Sequence, residues 1–225
     1  MIWFDHSELK DQHAILSPSL YSWINYKPEE MAAKLTNRYY AVYRQTLGTI
    51  LHEFCADAID LKTPMGKSIK NLNKSIKLYM KGKGYSQDLI DALSVLPEHV
   101  YQTVILYVND CLDFRMQKTE QPLKYNDVCF GHADSVMFDG RILRVSDLKT
   151  GDTPAHMEQL IIYDALFCLE YKFDPREIKV ENRIYQFGAI QEMLDVPNDI
   201  LTNAMDVIVK SSKFIDTLKN GGIVV

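Results

Sequence analysis

Apolar residues recur with a helical period through the first half of the chain. Residues 29–61 contain no proline and a single glycine, which predicts one long helix or two shorter ones. In residues 65–81 apolar positions return every three or four residues, and two glycines follow as a stop signal. Another helix is predicted within residues 86–113, with an interruption near Pro97. The first 115 residues are therefore predicted to be mainly helical.

The pattern changes to that of β-strands after Pro122. The runs Val128–Phe138 and Arg141–Lys149 are rich in residues that favour strands, and Asp139-Gly140 lies between them. An Asp-Gly pair between two such runs is typical of a β-hairpin with a two-residue turn. Residues 178–187 alternate between apolar and polar and predict a further strand.

Two more helices are expected in the second half of the chain. Thr153-Pro154 has the features of a helix start, which predicts a helix that continues to about Tyr171. Residues 202–219 predict a last helix, ended by Asn220-Gly221-Gly222. The order of elements indicates an α/β fold with a small central mixed sheet flanked by helices. We expect one domain over residues 1–225, with a sheet core at 120–190 and a C-terminal helix at 200–220.

Composition narrows the class of protein. The chain is 47% hydrophobic and 24% charged, as is usual for a soluble globular protein, and no apolar run is long enough to span a membrane. The N-terminal residues lack the pattern of a secretory signal, so a cytoplasmic protein without a membrane partner is expected. The four cysteines contain no C-x-x-C pair, which argues against a zinc ribbon and favours buried thiols.

The formal net charge of −5 disfavours a polyanionic partner, but the charge is unevenly distributed. Residues 61–87 carry seven lysines and no acidic residue. Five of these lysines recur at steps of three and four and therefore share one face of the predicted helix: Lys67, Lys70, Lys74, Lys77 and Lys81. This face is a candidate DNA-binding surface, and the alternative is a helix side that faces only solvent.

The predicted hairpin brings charged residues together. With a two-residue turn, Asp134 lies opposite Val145, and Asp147 becomes its diagonal neighbour on the same face of the sheet. Lys149 shares that face because it lies two residues beyond Asp147. The same register places His132 opposite Asp147.

Two carboxylates and an amine in this arrangement suit phosphodiester hydrolysis. Carboxylate oxygens are ligands that Mg²⁺ prefers, and a bound metal ion lowers the pKa of its water. A lysine beside that water can orient or deprotonate it. The alternative interpretation is an ordinary ladder of surface salt bridges, which is common for an isolated D-x-K sequence.

Three short motifs occur in a characteristic order. They are Gly131-His132-Ala133-Asp134, then Asp147-Leu148-Lys149-Thr150-Gly151, then Gln159 with Tyr163 one helical turn later. This order resembles the RecB-type PD-(D/E)XK nucleases. Upstream, Gly48-Thr49-Ile50-Leu51-His52-Glu53 is similar to the helix that carries the family's metal-binding histidine, and Leu16-Ser17-Pro18-Ser19 is similar to its frequent opening. The resemblance covers residues 16–187 and implies a restriction-endonuclease-like core.

The resemblance also implies residue roles. His52, Asp134, Asp147 and the backbone carbonyl of Leu148 would hold the metal ion, with His132 as the rival ligand. Lys149 would act on the attacking water. Gln159 and Tyr163 would contact the DNA backbone or hold Lys149. Glu120 is similar to an acidic position that often precedes the G-x-x-D strand.

The implied function is that of a Mg²⁺- or Mn²⁺-dependent deoxyribonuclease. Exonuclease action in recombination, repair or replication, as a phage-like stand-alone enzyme, is expected by family analogy. The cysteines that hold an iron–sulfur cluster in some relatives are missing, so no cluster is expected. A structure-selective or nicking endonuclease and a non-catalytic DNA-binding or protein-interaction module are the alternatives. A homo-oligomer and a recombination or replication partner protein remain open.

Overall fold

The computed structural model describes residues 24–114 and 117–219, together with Leu16 and Pro18. Six α-helices occur in this part of the chain, and they are α1 (Pro28–Asp60), α2 (Ile69–Gly82), α3 (Gln87–Asp91), α4 (Glu98–Leu112), α5 (Glu158–Tyr171) and α6 (Asn198–Lys219). The strands are β1 (Gln117–Asn126), β2 (Cys129–Phe138), β3 (Ile142–Leu148), β4 (Lys179–Gln186) and β5 (Ala189–Met193). Short 3-10 turns cover Ala92–Val95 and Pro175–Glu177.

The strands form one mixed sheet in sequence order, β1-β2-β3-β4-β5. Neighbouring strands are antiparallel except for β3 and β4, which run parallel. A parallel pair needs a crossover connection, and α5 provides it between β3 and β4. The α/β fold with a small mixed sheet and a helical N-terminal half is thus confirmed.

Helices cover both faces of the sheet. On one side, α1, α2 and α4 pack into an apolar core that reaches the sheet at Leu148 and Tyr185. On the other side, α5 and α6 pack over Leu143 and Val145. Consecutive side chains of a strand point to opposite faces, so β3 contributes side chains to both apolar cores. Three of the four cysteines are buried and Cys129 is half-buried, as expected of thiols used as small apolar groups.

The hairpin turn differs from the prediction. The Asp139 carboxylate accepts hydrogen bonds from the backbone N–H groups of Arg141 and Ile142, at 2.9 and 2.8 Å, and Gly140 has a φ of +95°. Phe138 therefore pairs with Leu143 rather than with Arg141, so the two-residue turn was wrong. The turn is wider because the Asp139 side chain, and not the facing strand, accepts the hydrogen bonds of the Arg141 and Ile142 N–H groups.

The new register has a simple consequence for the acidic residues. Ser135 and Ser146 form the last pair of the ladder, and Asp134 and Asp147 are the next residues beyond that pair, rather than diagonal neighbours within the ladder. The pairing has shifted by two residues, and a shift by two leaves every side chain on its predicted face. His132 no longer lies opposite Asp147, which corrects the expectation for that histidine.

Several element boundaries also differ from the prediction. The α2 helix begins at Ile69, because the Ser68 side chain accepts a hydrogen bond from the Asn71 N–H at 3.4 Å, so Lys67 precedes the helix. The α5 helix begins at Glu158 and not at Thr153-Pro154. The α6 helix starts at Asn198 rather than at residue 202. Of the two alternatives for the first helical stretch, the single long helix is confirmed, as α1.

Some predictions fall on residues outside the described ranges. These are the Ser17 and Ser19 part of the opening motif and the Asn220-Gly221-Gly222 helix stop. Among the helices that are described, none has the length and apolar character needed to cross a membrane.

Candidate active site

Two aspartates and a lysine lie together where β2 and β3 meet. Asp134 Oδ2 accepts a hydrogen bond from the backbone N–H of Leu148 at 2.7 Å. Asp147 is only 3% exposed, and its Oδ1 accepts from Lys149 Nζ at 2.9 Å. The structure thus brings together the three residues that the hairpin pattern had singled out.

The α5 helix supplies the second contact to this lysine. Lys149 Nζ also donates to Gln159 Oε1 at 3.2 Å, so the amine is held between a strand carboxylate and a helix amide. One turn further along α5, the Tyr163 hydroxyl donates to the backbone carbonyl of His132 at 2.7 Å. A Cβ on Gly131 would lie 2.9 Å from the Tyr163 ring, so glycine at this position allows the ring to pack against β2.

The α1 helix approaches the site from the opposite face of the sheet. His52 Nδ1 lies 3.3 Å from Asp134 Oδ1. Together with Glu120 on β1 these residues form a group whose three ligand atoms lie within 4.8 Å of one another. The His132 side chain is exposed and is not part of that group, so the geometry favours His52 as the ligand.

The backbone at Glu120 is unusual for a strand residue. Thr119 pairs with Ser135 and Gln121 pairs with Ala133, so Glu120 lies opposite Asp134. Its φ is +46°, in the left-handed region that non-glycine residues seldom occupy. Strained backbone of this kind occurs preferentially at functional sites. The sequence pattern did not predict β1, and for that reason Glu120 could be placed only by resemblance.

The closely spaced carboxylates shift the pKa values of the titratable residues in this group. Burial and the neighbouring Asp134 carboxylate raise the pKa of Asp147 to about 6, against the opposing effect of Lys149. Burial and Asp134 also raise the pKa of Glu120. Burial lowers the pKa of His52, but its hydrogen bond to Asp134 and the surrounding carboxylates outweigh this and raise it overall.

The donor atoms fit a hard divalent cation. Asp147 Oδ2 is buried and makes no hydrogen bond to any described residue. A buried carboxylate oxygen without a partner is costly, and a metal ion would satisfy it. Carboxylate oxygens with one imidazole suit Mg²⁺ or Mn²⁺ better than a soft metal that prefers thiolates.

A cleft of about 800 Å³ opens from this group. One wall is α1, which presents Arg44, Gly48 and His52 at intervals of four residues and therefore on one helix face. The other wall is the loop after β3, from Thr150 to Thr153. At Gly48 the helix comes so close to this loop that a Cβ would lie 3.0 Å from Thr150 Oγ1.

The five lysines in α2 and just before it do not line this cleft. Lys67, Lys70, Lys74 and Lys81 are exposed, and Lys77 is half-buried. The cleft is lined by α1, β1, the segment around Leu96 and Pro97, and the loop after β3, without a residue from α2. Within the described residues, none of the five lysines forms an ion pair. Their role in binding DNA stays a prediction.

Comparison with known families gives one assignment. Residues 13–201 match the family described as "Protein of unknown function (DUF2800)", and the chain belongs to this family. A comparison with curated proteins gave no match.

Proposed function

We propose that this member of the DUF2800 family is a divalent-metal-dependent deoxyribonuclease that hydrolyses DNA phosphodiester bonds. One observation carries the proposal. The Lys149 amine, the Asp134 and Asp147 carboxylates, His52 and Glu120 form one group, although they come from four different segments of the fold. Two members of the group, His52 and Glu120, line the cleft. The order of motifs, which resembles that of the RecB-type PD-(D/E)XK nucleases, supports it by analogy.

Asp134, Asp147, His52 and Glu120 would hold the Mg²⁺ or Mn²⁺ ion, together with the backbone carbonyl of Leu148. The unpartnered Asp147 Oδ2 supports this assignment. A bound divalent cation supplies acidity to its water and neutralises charge that develops on the phosphate.

Lys149 is positioned to act on the attacking water. Its amine donates hydrogen bonds to Asp147 Oδ1 and Gln159 Oε1, which fix the amine beside the carboxylates. There the neutral amine can orient the water and accept its proton, whereas the charged ammonium can stabilise the phosphate oxygens. Water attacks phosphorus, the bond from phosphorus to the leaving oxygen breaks, and a proton reaches that oxygen.

Gln159 and Tyr163 have a positioning role. Gln159 fixes Lys149, and Tyr163 ties α5 to β2 through the His132 carbonyl. Both bonds connect the crossover helix to the strands that bear the carboxylates, so the reacting groups keep their spacing. We further propose that the enzyme acts as an exonuclease on cytoplasmic DNA, in recombination, repair or replication.

One digestion experiment tests this function and separates the alternatives. A linear DNA labelled at one end and a closed circular plasmid are incubated with the chain and Mg²⁺ or Mn²⁺, with and without a chelator. The proposal requires degradation of the linear DNA that stops on chelation, while the circle survives. Cut circles would instead identify an endonuclease. DNA that is bound but left intact with either metal would identify a non-catalytic binding module and contradict the proposal.

A further inference from the structure

Arg44 is the only lysine or arginine among the described residues that line the cleft. It lies on the same face of α1 as His52, two helical turns earlier, and at 1.5 Å per residue the two are about 12 Å apart along the helix axis. Gly48 lies between them and carries no side chain. His52, beside the carboxylates, and Arg44 therefore line the same cleft about two helical turns apart, with the contact between Gly48 and Thr150 lying between them.

A carboxylate faces Arg44 across the cleft. Asp152 Oδ2 lies 3.6 Å from Arg44 Nη1, and the side chains are 68% and 49% exposed. An ion pair this exposed contributes little to stability, since water and salt screen it. The fold therefore does not depend on this pair, and both side chains are accessible from the cleft.

The loop that carries Asp152 is held in place by a strand residue. The Gln186 side-chain amide donates to the backbone carbonyls of Gly151 and Thr153, at 2.9 and 2.7 Å, and its oxygen accepts from the Ala155 N–H at 3.1 Å. Three hydrogen bonds from one side chain fix the loop against the end of β4. Asp152 is therefore presented to Arg44 by a constrained loop.

We propose that Arg44 binds a backbone phosphate of the DNA strand, away from the scissile bond, and that Asp152 occupies this anion position in the free protein. This inference rests on the proposed function. Guanidinium groups bind phosphate through paired N–H donors, and a carboxylate is the side chain that most closely imitates a phosphate in this geometry. With DNA strands rising about 3.4 Å per nucleotide, the 12 Å along α1 corresponds to about three or four nucleotides.

Asp152 then has a defined effect on affinity. DNA must displace the carboxylate from Arg44 and must approach a negative charge, so Asp152 opposes DNA binding. Removal of Asp152 should strengthen binding, whereas removal of Arg44 should weaken it. An ion pair with only a structural role would not give opposite signs for its two partners.

The test measures binding of a fluorescein-labelled DNA strand by fluorescence anisotropy with Mg²⁺ present. All variants carry Lys149→Ala, so that cleavage does not interfere. Arg44→Gln should weaken binding about tenfold and reduce the slope of log affinity against log salt by about one. Asp152→Asn should strengthen binding about threefold.

The exposed pair Lys34–Glu30 provides a matched control, because it lies on the same helix, is as exposed as Arg44 and has no residue in the cleft. Lys34→Gln and Glu30→Gln should each leave binding within a factor of about two. An Arg44→Gln variant that binds as well as its parent overturns the inference. If the parent protein, which carries only Lys149→Ala, binds no DNA, the proposed function itself is overturned.

A double variant separates release of Arg44 from a general charge effect. If Asp152 acts by occupying Arg44, Asp152→Asn should give much less gain once Arg44 is already glutamine. An equal gain in both backgrounds would show that Asp152 only repels DNA at a distance, and would overturn its assignment as the anion that occupies the Arg44 site.

Discussion

Glu120 shows how a single residue can be held in an unfavourable conformation by its surroundings. Its positive φ interrupts the ladder between β1 and β2 at the position opposite Asp134. Holding a non-glycine residue in the left-handed region costs about 1–3 kcal/mol. The conformation places the Glu120 carboxylate beside His52 and Asp134, where negative charge is already concentrated. Such an arrangement is costly without a cation and favourable with one.

Removal of the Glu120 charge should therefore weaken metal binding. We expect Glu120→Gln to lower the affinity for Mn²⁺ at least about tenfold, since loss of even an outer partner of a metal site costs this much. Isothermal titration calorimetry in the absence of DNA measures the change without dependence on activity.

Glu53 offers the control for this measurement. Its carboxylate is near enough to raise the pKa of Glu120 but instead lies 3.4 Å from the Tyr85 hydroxyl. Glu53→Gln thus removes a nearby charge without removing a ligand and should leave Mn²⁺ affinity within about threefold. Equal losses in the two variants would mean that Glu120 acts only through long-range charge.

The sequence was sufficient to group Asp134, Asp147 and Lys149, even though the turn was misjudged. Side chains alternate along a strand, so any error of two residues in pairing leaves the same residues on the same face. Glu120 and His52 could not be derived in this way. Their approach depends on how β1 and α1 pack on the hairpin, and local patterns do not contain that long-range information.

At the scale of elements, helices were predicted more accurately than strands. The three- and four-residue spacing of apolar positions located α2 and α4 because each buries one continuous face. β1 was missed because it is an edge strand with several exposed residues and contains Pro122, which edge strands tolerate. β5 has only five residues and is largely exposed, so it leaves little periodic signal.

The lysine face of α2 leads to a prediction for the whole element. Lys70, Lys74 and Lys77 lie on the helix, and no ion pair within the described residues neutralises them. If this face tracks the DNA backbone, charge reversal at all three should weaken binding by at least about tenfold and flatten its salt dependence. Anisotropy titrations at several salt concentrations measure both. An unchanged slope would exclude α2 from the path of the DNA.

At the scale of the whole molecule, the site depends on both helical layers. His52 reaches it from α1 on one face of the sheet, and Gln159 reaches it from α5 on the other. The sheet lies between the two layers. Interactions that fix α5 on the sheet therefore help to set the spacing of the reacting groups.

Asp164 is one such interaction. This residue is completely buried on α5, and its Oδ2 accepts a hydrogen bond from the Asn182 side chain on β4 at 2.7 Å. Burial raises the pKa of Asp164 well above its ordinary value of 3.8, although the bond to Asn182 opposes this. The folded protein therefore retains a proton that the unfolded chain releases above about pH 4.

The sign of the pH dependence follows from this proton. As pH rises from about 4 towards the folded pKa of Asp164, the unfolded chain is increasingly favoured and the free energy of unfolding falls. Asp164→Asn keeps the shape and a donor but cannot ionise. We expect it to be more stable than the parent at pH 8, with a smaller difference at pH 5, in urea unfolding monitored by circular dichroism. A loss of stability at pH 8 would contradict this account of Asp164.

The central claim is that the converging carboxylates and Lys149 form a metal-dependent centre for DNA cleavage. The most direct measurement is the single-turnover rate of cleavage of end-labelled DNA at saturating Mg²⁺, compared between the parent and Lys149→Ala. We predict a rate at least about 10²-fold lower in the variant, the scale on which a positioned acid or base contributes. Equal rates in the two proteins would contradict the claim.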